Sequence, residues 1–213
     1  MTSTPSNSAS GAVRIGIAGG IGAGTANFSI VDVNPDVVAE IKNGTLSATG
    51  AVAVTATATA SAVAETLGVS AGGLAVGVSM ADALSRPDVT ASAGGNLKAG
   101  SVTITATRAV PAGGHNARAS ATGATGALIG INATEATARS EGSVNSFIAN
   151  GSKLTVSNTI AVNANGNSSQ FADADSYTVG LVALGGNVSK ASSDVTTNAY
   201  MGSEVTVVGG TAM

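Results

Sequence analysis

Short glycine-rich segments recur along this chain at a nearly constant spacing, and this regularity constrains the fold more strongly than any other feature of the sequence. The segments that begin at Gly20, Gly73 and Gly126 lie 53 residues apart, and the segment at Gly180 follows after 54. A fixed period of this length is typical of repeat proteins, in which each copy is one structural unit. We predict that these four glycines lie at equivalent corners of successive repeats.

Three further markers follow nearly the same period, so a biased composition alone does not explain the spacing. They are a turn-like pair, a glycine turn that leads into a strand, and a strand rich in Val and Ile. The turn-like pairs are Pro35-Asp36, Pro87-Asp88, Ser140-Glu141 and Ser193-Asp194; the glycine turns contain Gly44, Gly95, Gly151 and Gly202; the strands begin near Val52, Val102 and Ile160.

The period divides the chain into three whole repeats with a partial repeat on either side. The whole repeats cover residues 36–87, 88–140 and 141–193, and the partial repeats cover 11–35 and 194–213. Residues 1–10 contain neither a basic stretch nor an apolar stretch, so they do not form a signal peptide. We interpret residues 1–10 as a linker or as the boundary of an excised segment.

Within the repeats, apolar and hydroxyl-bearing side chains alternate with period two, which is typical of β-strands. Val52 and Val54 fall on one face of such a strand, and Thr55 and Thr57 fall on the other. The same alternation recurs at 102–107 and 154–163. Residues 36–42 could form one helical turn, but their alignment with strand segments of other repeats favours a strand. The sequence therefore predicts an all-β fold.

The residues expected to face inward are mostly alanine, with scattered Val, Leu and Ile. Rows of alanine allow facing sheets to approach closer than the usual ~10 Å, which leaves a thin interior without bulky side chains. Such a unit cannot bury its own faces, so neighbouring repeats must cover them. We predict a parallel β-solenoid, a right-handed β-helix by the general preference for that crossover hand. Its open ends favour end-to-end or lateral self-association.

Composition excludes several classes of function. Lys and Arg total 9, Asp and Glu total 12, and aromatic residues make up 2% of the chain, so no basic, aromatic surface is available for nucleic acid. The lack of cysteine excludes disulfides and thiolate metal sites. No apolar run is long enough for a transmembrane helix. A single histidine and few carboxylates argue against catalysis, so we predict no catalytic residue, no cofactor and no metal.

Two polar groups nevertheless bear on metal binding. His115, the only histidine, lies in a turn-like loop without cysteines or spaced carboxylates around it, so we interpret it as an exposed loop residue. Asp173 and Asp175 could offer oxygen ligands to Ca²⁺, but the glycine pattern of calcium-binding loops is missing. We interpret both as exposed charges on one face of a strand.

A row of threonines is the most distinctive expected surface. Thr55 and Thr57 alternate along one strand, and Thr103 and Thr105 do so one repeat later. If the strands stack in register, these four residues form a candidate flat face with regularly spaced hydroxyl groups, which resembles the binding face of solenoid ice-binding proteins. Threonine is also a favourable residue for any exposed strand.

The whole pattern resembles the repeats of giant bacterial surface proteins, the filamentous-haemagglutinin-like and autotransporter-type adhesins. The similarity lies in an Ala/Thr-rich alternating strand, a glycine segment, an Asn/Thr turn and a Gly-rich corner. It covers nearly all of the chain after Gly11, and its clearest stretches are Ser101–Val110, Gly126–Thr134 and Asp194–Val207. The resemblance implies a right-handed β-helix, an extracellular or outer-membrane-associated location, and a role as a stalk or adhesive shaft.

From these observations we predict a non-catalytic shaft or spacer segment whose partners are neighbouring repeats of the same protein, with a cell-surface or glycan ligand as a further candidate. The alternative is a module that binds ice or a crystalline glycan through the threonine face. A polysaccharide-cleaving β-helix is less favoured, because the aromatic residues that such a site needs are few and scattered: Phe28, Phe147, Phe171, Tyr177 and Tyr200.

Overall fold

A computed structural model describes residues 2–3, 6–10, 14–209 and 211–212, and it places most of them in β-strands. The described residues include no helix, which confirms the all-β prediction. The strands are β1 Thr2–Ser3, β2 Ser6–Ser10, β3 Arg14–Val33, β4 Asp36–Ile41, β5 Thr45–Ser47, β6 Ala51–Ser85, β7 Asp88–Ala93, β8 Asn96–Ala99, β9 Ser101–Ala109, β10 Ala117–Ile148, β11 Lys153–Val156, β12 Thr159–Gly166, β13 Gln170–Val179, β14 Val182–Met201, β15 Thr206–Val208 and β16 Thr211–Ala212.

All strand pairs within the described residues are parallel, and they form two sheets. The larger sheet has the order β16-β12-β9-β6-β10-β7-β4, with β1, β2 and β3 also paired to β6 and with β13 and β14 paired to β10. The smaller sheet has the order β15-β11-β8-β5. Neither sheet closes on itself. β2 falls in the segment that the sequence assigns to a linker, and it lies beside residues 59–63 of β6. The described residues do not include Met1 or residues 4–5 of that segment, nor residues 11–13 at the start of the first partial repeat.

The pairing register joins each repeat to the next. Val52 lies opposite Val102, and Val102 lies opposite Ile160, so the Val/Ile-rich strands of three successive repeats are neighbours in one sheet. The turn strands behave in the same way, because Leu46, Leu97 and Leu154 lie side by side in the smaller sheet. Each repeat therefore contributes one layer to both sheets.

The spacing between paired residues is not strictly constant. Asp36 pairs with Asp88, but Val89 pairs with Val144, so the third repeat begins two residues later than the turn-like pair Ser140-Glu141 indicates. The offset is 50 at Thr59↔Ala109 but already 55 at Ala62↔Ala117, so the extra residues lie in the loop 110–116 between β9 and β10. Gly142, further along the chain, has a φ of 107° and approaches the backbone of Pro87. Only glycine adopts this conformation readily, and a Cβ atom at this position would overlap the Pro87 carbonyl oxygen. β4, at Asp36–Ile41, is a strand and not a helical turn.

The two halves of β6 face each other across the interior. The Ser70 hydroxyl donates a hydrogen bond to the Val76 carbonyl oxygen at 3.2 Å, so the chain reverses direction between these residues, close to Gly73. A methyl group added to Gly68 would meet the Ser79 hydroxyl, which places these two positions opposite one another. Each repeat therefore has an outgoing arm, a reversal and a returning arm.

Buried apolar residues form two clusters along the strands, and only the first cluster includes residues of the smaller sheet. The first cluster contains larger side chains, among them Leu97, Ile104 and Leu154. The second cluster is almost entirely alanine, and its buried members are Val31, Val33, Ala60, Ala62, Ala64, Ala81, Ala83, Ala117, Ala119, Ala121, Ala136, Ala138 and Ala174. The alanine-lined interior expected from the sequence is thus present, but only in this second cluster.

A buried arginine lies where the two clusters meet. Arg108 is opposite Ala58 in β6, and its side chain is fully buried. Its guanidinium donates to the backbone carbonyl oxygens of Glu141 at 2.5 Å and Ser85 at 3.2 Å, which ties the outgoing arm of one repeat to the returning arms. Burial lowers the pKa of Arg108 to about 10. The side chain remains charged at neutral pH, and its charge opposes folding at pH values below about 10; this penalty decreases as the pH rises above that value.

Two substitutions at Arg108 distinguish the contribution of its charge to stability from the contribution of its packing. We expect Arg108→Ala to lower the free energy of unfolding by about 2 kcal/mol, because two buried carbonyl oxygens lose their donor and a void remains. Arg108→Met keeps most of the volume and removes a buried charge, so its loss should be smaller. Urea unfolding followed by circular dichroism compares the two variants. Equal losses for both would contradict a penalty from the charge.

Candidate functional surfaces

The threonine face forms where β6 and β9 lie side by side. Thr55 pairs with Thr105, and Thr57 pairs with Thr107, so two rows of hydroxyl-bearing residues do stack in register. Thr103 lies instead opposite Ala53 and Ala161, so its row contains a single threonine among these strands. All of these threonines are half-buried.

In the next repeat, asparagines take the place of the threonines. Thr105 pairs with Asn163, and Thr107 pairs with Asn165, whose Nδ2 atom donates to the Thr107 hydroxyl at 3.4 Å. The row of Thr55 therefore spans three strands, from Thr2 in β1 to Thr105 in β9, and the row of Thr57 spans β6 and β9 among the described residues. Of the four threonines predicted from the sequence, Thr103 lies in a row without a second threonine, so only Thr55, Thr57 and Thr105 belong to this surface.

The four predicted corner glycines all lie close to the reversals between the arms. Gly20 pairs with Gly72, the neighbour of Gly73, while Gly126 pairs with Val179, the neighbour of Gly180. The glycines are thus equivalent to within one or two residues. The offset between paired residues, 52 to 55, accounts for the displacement.

The physical need for glycine differs among these positions. Gly20 has a φ of 148°, which disfavours other residues. At Gly180 a Cβ atom would overlap the Ala127 carbonyl oxygen, and at Gly73 it would approach the Ile21 carbonyl oxygen to 3.0 Å. At Gly126 nothing lies within 4 Å of such an atom. Close approach of backbones in adjacent repeats, and not turn conformation alone, selects glycine here.

This difference yields a matched pair of variants. We expect Gly180→Ala to lower the free energy of unfolding by about 1–2 kcal/mol, because the new methyl group overlaps a backbone atom of the neighbouring repeat. Gly126→Ala meets open space at the equivalent reversal and should leave stability within about 0.5 kcal/mol. Chemical denaturation measures both. A larger loss of stability for Gly126→Ala than for Gly180→Ala would show that close backbone approach does not select glycine at these reversals.

Around the reversals, the polarity of the strands is inverted. We define the tip as the four charge-free segments that contain the reversals, residues 15–31, 66–81, 119–134 and 176–189. Large apolar side chains point outward in the tip, and Leu74, Val76, Ile129 and Ile131 of the two central repeats are all 39% to 48% exposed. Leu128 and Leu181, at the reversals themselves, are 61% and 86% exposed.

The interior of the tip is polar. Ser70, Ser79 and Asn132 are buried there, together with Thr66 and Thr125. Hydrogen bonds connect neighbouring layers of this interior: Thr25 Oγ1 and Ser70 Oγ are 2.9 Å apart, and Thr134 Oγ1 lies 2.8 Å from Asn187 Oδ1.

Interior glycines create the space for these polar groups, because a methyl group on Gly123 would overlap the Asn132 amide. The tip therefore has polar residues inside and apolar residues outside, opposite to the part of the strands nearer the smaller sheet.

Charged residues mark the border of the tip. Glu65 and Asp82 end the charge-free segment of β6, and they form ion pairs with Arg118 and Arg139 of the following repeat. Glu135 pairs with Lys190 one repeat later, at 2.8 Å. These partly exposed pairs contribute little stability each. Their alignment nevertheless separates a charged, Thr-rich surface from an apolar one along all the repeats.

The other candidate residues do not form a site. His115 is half-buried, its Nδ1 atom lies 3.2 Å from the Ser169 hydroxyl, and its ring lies 5.4 Å from that of Phe171. Asp173 and Asp175 lie in β13, opposite Ser120 and Thr122. Over the described parts of the chain, no three acidic, histidine or cysteine side chains come together to hold a metal ion. The same residues contain no helix of the length and apolarity that a membrane crossing requires.

Comparison with known proteins adds no neighbour to this description. No family model, no curated protein and no solved structure matches the chain. Sequence reasoning treated the glycine segments only as corners and missed the tip around them, although the four charge-free segments are visible in the sequence.

Proposed function

We propose that this chain is a segment of a parallel β-solenoid that serves as a non-catalytic shaft or spacer in a large secreted or surface-attached bacterial adhesin. The observation that carries the proposal is the pairing of each repeat with the next one over both arms. β6 pairs with β10 from Ala62↔Ala117 to Ser85↔Ser140, and β10 pairs in turn with β13 and β14. One repeat then corresponds to one coil, which winds to the right by the general crossover rule.

Contacts between repeats support a mechanical role. Backbone ladders join each coil to its neighbours along its whole length, and such ladders resist stretching along the stack. Side chains add further connections: Arg86 donates two hydrogen bonds to the Asp32 carboxylate, 54 residues earlier. The hydrogen bond that Arg86 donates to Asp32 is the main reason that the pKa of Arg86 is raised. The natural partners of these repeats are further repeats of the same kind.

The same geometry sets the dimensions of such a shaft. Neighbouring parallel strands lie about 4.8 Å apart, so each coil of roughly 53 residues adds only about 4.8 Å of height. An arm such as residues 51–70 extends for roughly 66 Å at ~3.3 Å per residue. A segment of this kind is therefore broad and thick for its length. This breadth makes the shaft stiff and gives it a large lateral surface, but it adds little length per residue.

Insertion of additional repeats tests the proposal. We expect four tandem copies of residues 88–142, inserted after residue 142, to lengthen the particle by about 19 Å along one axis and to leave its other dimensions unchanged. Small-angle X-ray scattering of the natural and extended chains measures this change. Growth along all axes, or a separate added domain, would refute a solenoid shaft.

A second candidate function is binding of ice or a crystalline glycan through the threonine face. The specific observation in its favour is the stacking of Thr55 on Thr105 and of Thr57 on Thr107. Because Asn163 and Asn165 end this surface at β12, we expect no thermal hysteresis from this segment. Measurable hysteresis that is lost in Thr105→Tyr would favour this second function over the shaft.

A further inference from the structure

We propose that the tip is a lipid-binding edge, with which the protein lies on a membrane by inserting the outward apolar side chains of its reversals into one leaflet. The inference goes beyond a shaft, because it assigns a partner to a surface that a spacer does not need. It rests on the inverted polarity of the tip, on the shape of the surface to be covered, and on the charges that border it.

The exposure of apolar side chains at the tip is not an end effect. β6 and β10 are covered by neighbouring strands on both sides, yet Leu74 and Ile129 on their returning arms are about half exposed. Phe28 and Val182 continue this surface on the outer strands. In water, an interior of Ser, Thr, Asn and Gly gives little hydrophobic stabilisation while the apolar groups remain hydrated. Lipid reverses this balance, since it favours apolar residues outside and polar groups inside.

Both faces of the tip, and its rim, are apolar. On the returning side, four strands about 4.8 Å apart and eight residues long give an apolar patch of roughly 500 Å². That is below the roughly 800 Å² per partner of a standard protein interface. Tyr177 and Val179 expose a second patch on the outgoing side, and Leu128 and Leu181 expose the rim between them. A flat protein partner covers one of these surfaces, whereas a lipid leaflet surrounds all three.

The dimensions of the tip suit a leaflet. From Glu65 to the reversal at Gly72 the chain extends for roughly 23 Å, close to the roughly 20–22 Å of one leaflet with its headgroup region, of which about 15 Å is hydrocarbon. Polar backbone groups must be paired at that depth. The inner strand β6 meets this requirement on both sides of the tip: it pairs with β3 from Gly20↔Gly72 to Gly22↔Leu74 and with β10 from Ala127↔Gly72 to Ile129↔Leu74, and a single position is left out at each reversal.

The charges at the border place the boundary between lipid and water. Ion pairs such as Arg118–Glu65 and Arg139–Asp82 would lie at headgroup level, with the Thr-rich part of the strands in water. The chain has a net charge of −3, and acidic side chains are paired with basic ones along this border. Attraction to anionic lipid is therefore not expected to drive binding. Binding should therefore occur on neutral lipid and should persist in high salt.

Vesicle binding tests the proposal with a matched control. The tip variant carries Leu74→Thr, Val76→Thr, Ile129→Thr and Ile131→Thr, which keep good strand-forming residues. The control variant carries Val38→Thr, Val110→Thr, Val207→Thr and Val208→Thr, four apolar residues of similar exposure outside the tip. We expect the natural chain and the control to float with phosphatidylcholine vesicles, and the tip variant to bind about a hundredfold more weakly. Circular dichroism checks that all three remain folded.

A fluorescent probe locates the inserted residues. The chain contains no tryptophan, so Leu128→Trp and Val38→Trp each introduce a single indole, one at the rim of the tip and one far from it. We expect a blue shift and quenching by brominated phosphatidylcholine for the indole at position 128 only. Failure of the natural chain to bind vesicles, or equal binding by the tip variant, would overturn the proposal. So would a dimer in sedimentation that is lost in the tip variant without any vesicle binding, because the tip would then bind a second copy.

Discussion

Ala119→Phe should lower the free energy of unfolding by about 3 kcal/mol or more, which is among the largest effects that we expect from a single substitution in this chain. Ala119 is fully buried, and it lies between Ala64 and Ala172 of the neighbouring repeats. The opposite arm presents Ala136 and Ala138, so no adjacent side chain can withdraw to accommodate a ring. The phenyl ring fits only if the two arms separate, and this separation also exposes the alanines of the neighbouring repeats to water.

The next residue along the strand provides the control. Ser120 points to the other face, where it lies opposite Glu65 and Asp173 and is only partly covered. Ser120→Phe adds the same ring to the outside and should change stability by less than about 1 kcal/mol. Urea unfolding monitored by circular dichroism measures both variants. If Ala119→Phe is as stable as Ser120→Phe, the interior between the arms is not as narrow as we infer.

Asn116→Ala should cost about 3–4 kcal/mol, because one buried side chain joins three successive repeats. Its Nδ2 atom donates to the carbonyl oxygens of Ala60 at 3.0 Å and Ala109 at 3.1 Å, and its Oδ1 atom accepts from the Ser169 backbone N–H at 3.0 Å. Truncation leaves a buried acceptor on Ala60, a partly buried acceptor on Ala109 and a partly buried donor on Ser169 without this partner. Each such group costs about 1–3 kcal/mol when unsatisfied, although relaxation recovers part of the sum.

His115→Ala is the matched control for this loop. His115 is the preceding residue, it is half-buried, and its side chain contacts the Ser169 hydroxyl and the Phe171 ring. Its loss removes one partly exposed hydrogen bond and should cost less than about 1 kcal/mol. Thermal and chemical unfolding of both variants decide the matter. A larger effect for His115→Ala than for Asn116→Ala would show that the three-repeat connection does not carry the stability of this loop.

The strands and their neighbours could be predicted from the sequence because two periodicities coincide there. Alternation of period two identifies the strand that starts near Val52, and the repeat brings Val102 and Ile160 beside it. The exact offset could not be predicted, because the loop 110–116 changes the spacing between paired residues from 50 in β9 to 55 in β10. Similarly, Thr103 lies beside Ala53 and not beside a threonine, since pairing and not composition decides which residues share a row.

The polarity of the tip was harder to predict for a physical reason. Alternation shows that Val69 and Ser70 point to opposite faces, but it does not show which face is inside. An apolar residue is normally taken as the inward one, and this assumption holds for Val54 and Ala62 but fails beyond Glu65. The inside is set by the opposite arm, whose position depends on where the chain reverses. The charge-free segments are the signal in the sequence that distinguishes the tip.

Spin labels on adjacent repeats test the central claim, that successive repeats lie side by side in register. The chain has no cysteine, so the double variant with Thr55→Cys and Thr105→Cys accepts two nitroxide labels and no more. These residues are direct partners in the sheet, about 4.8 Å apart at the backbone, whereas Thr55 and Asn163 are two strands apart. We predict strong spin-exchange broadening in the continuous-wave spectrum of the first pair and much weaker broadening for Thr55→Cys with Asn163→Cys. Spectra of the first pair equal to the sum of the two single labels would contradict the stacking of the repeats.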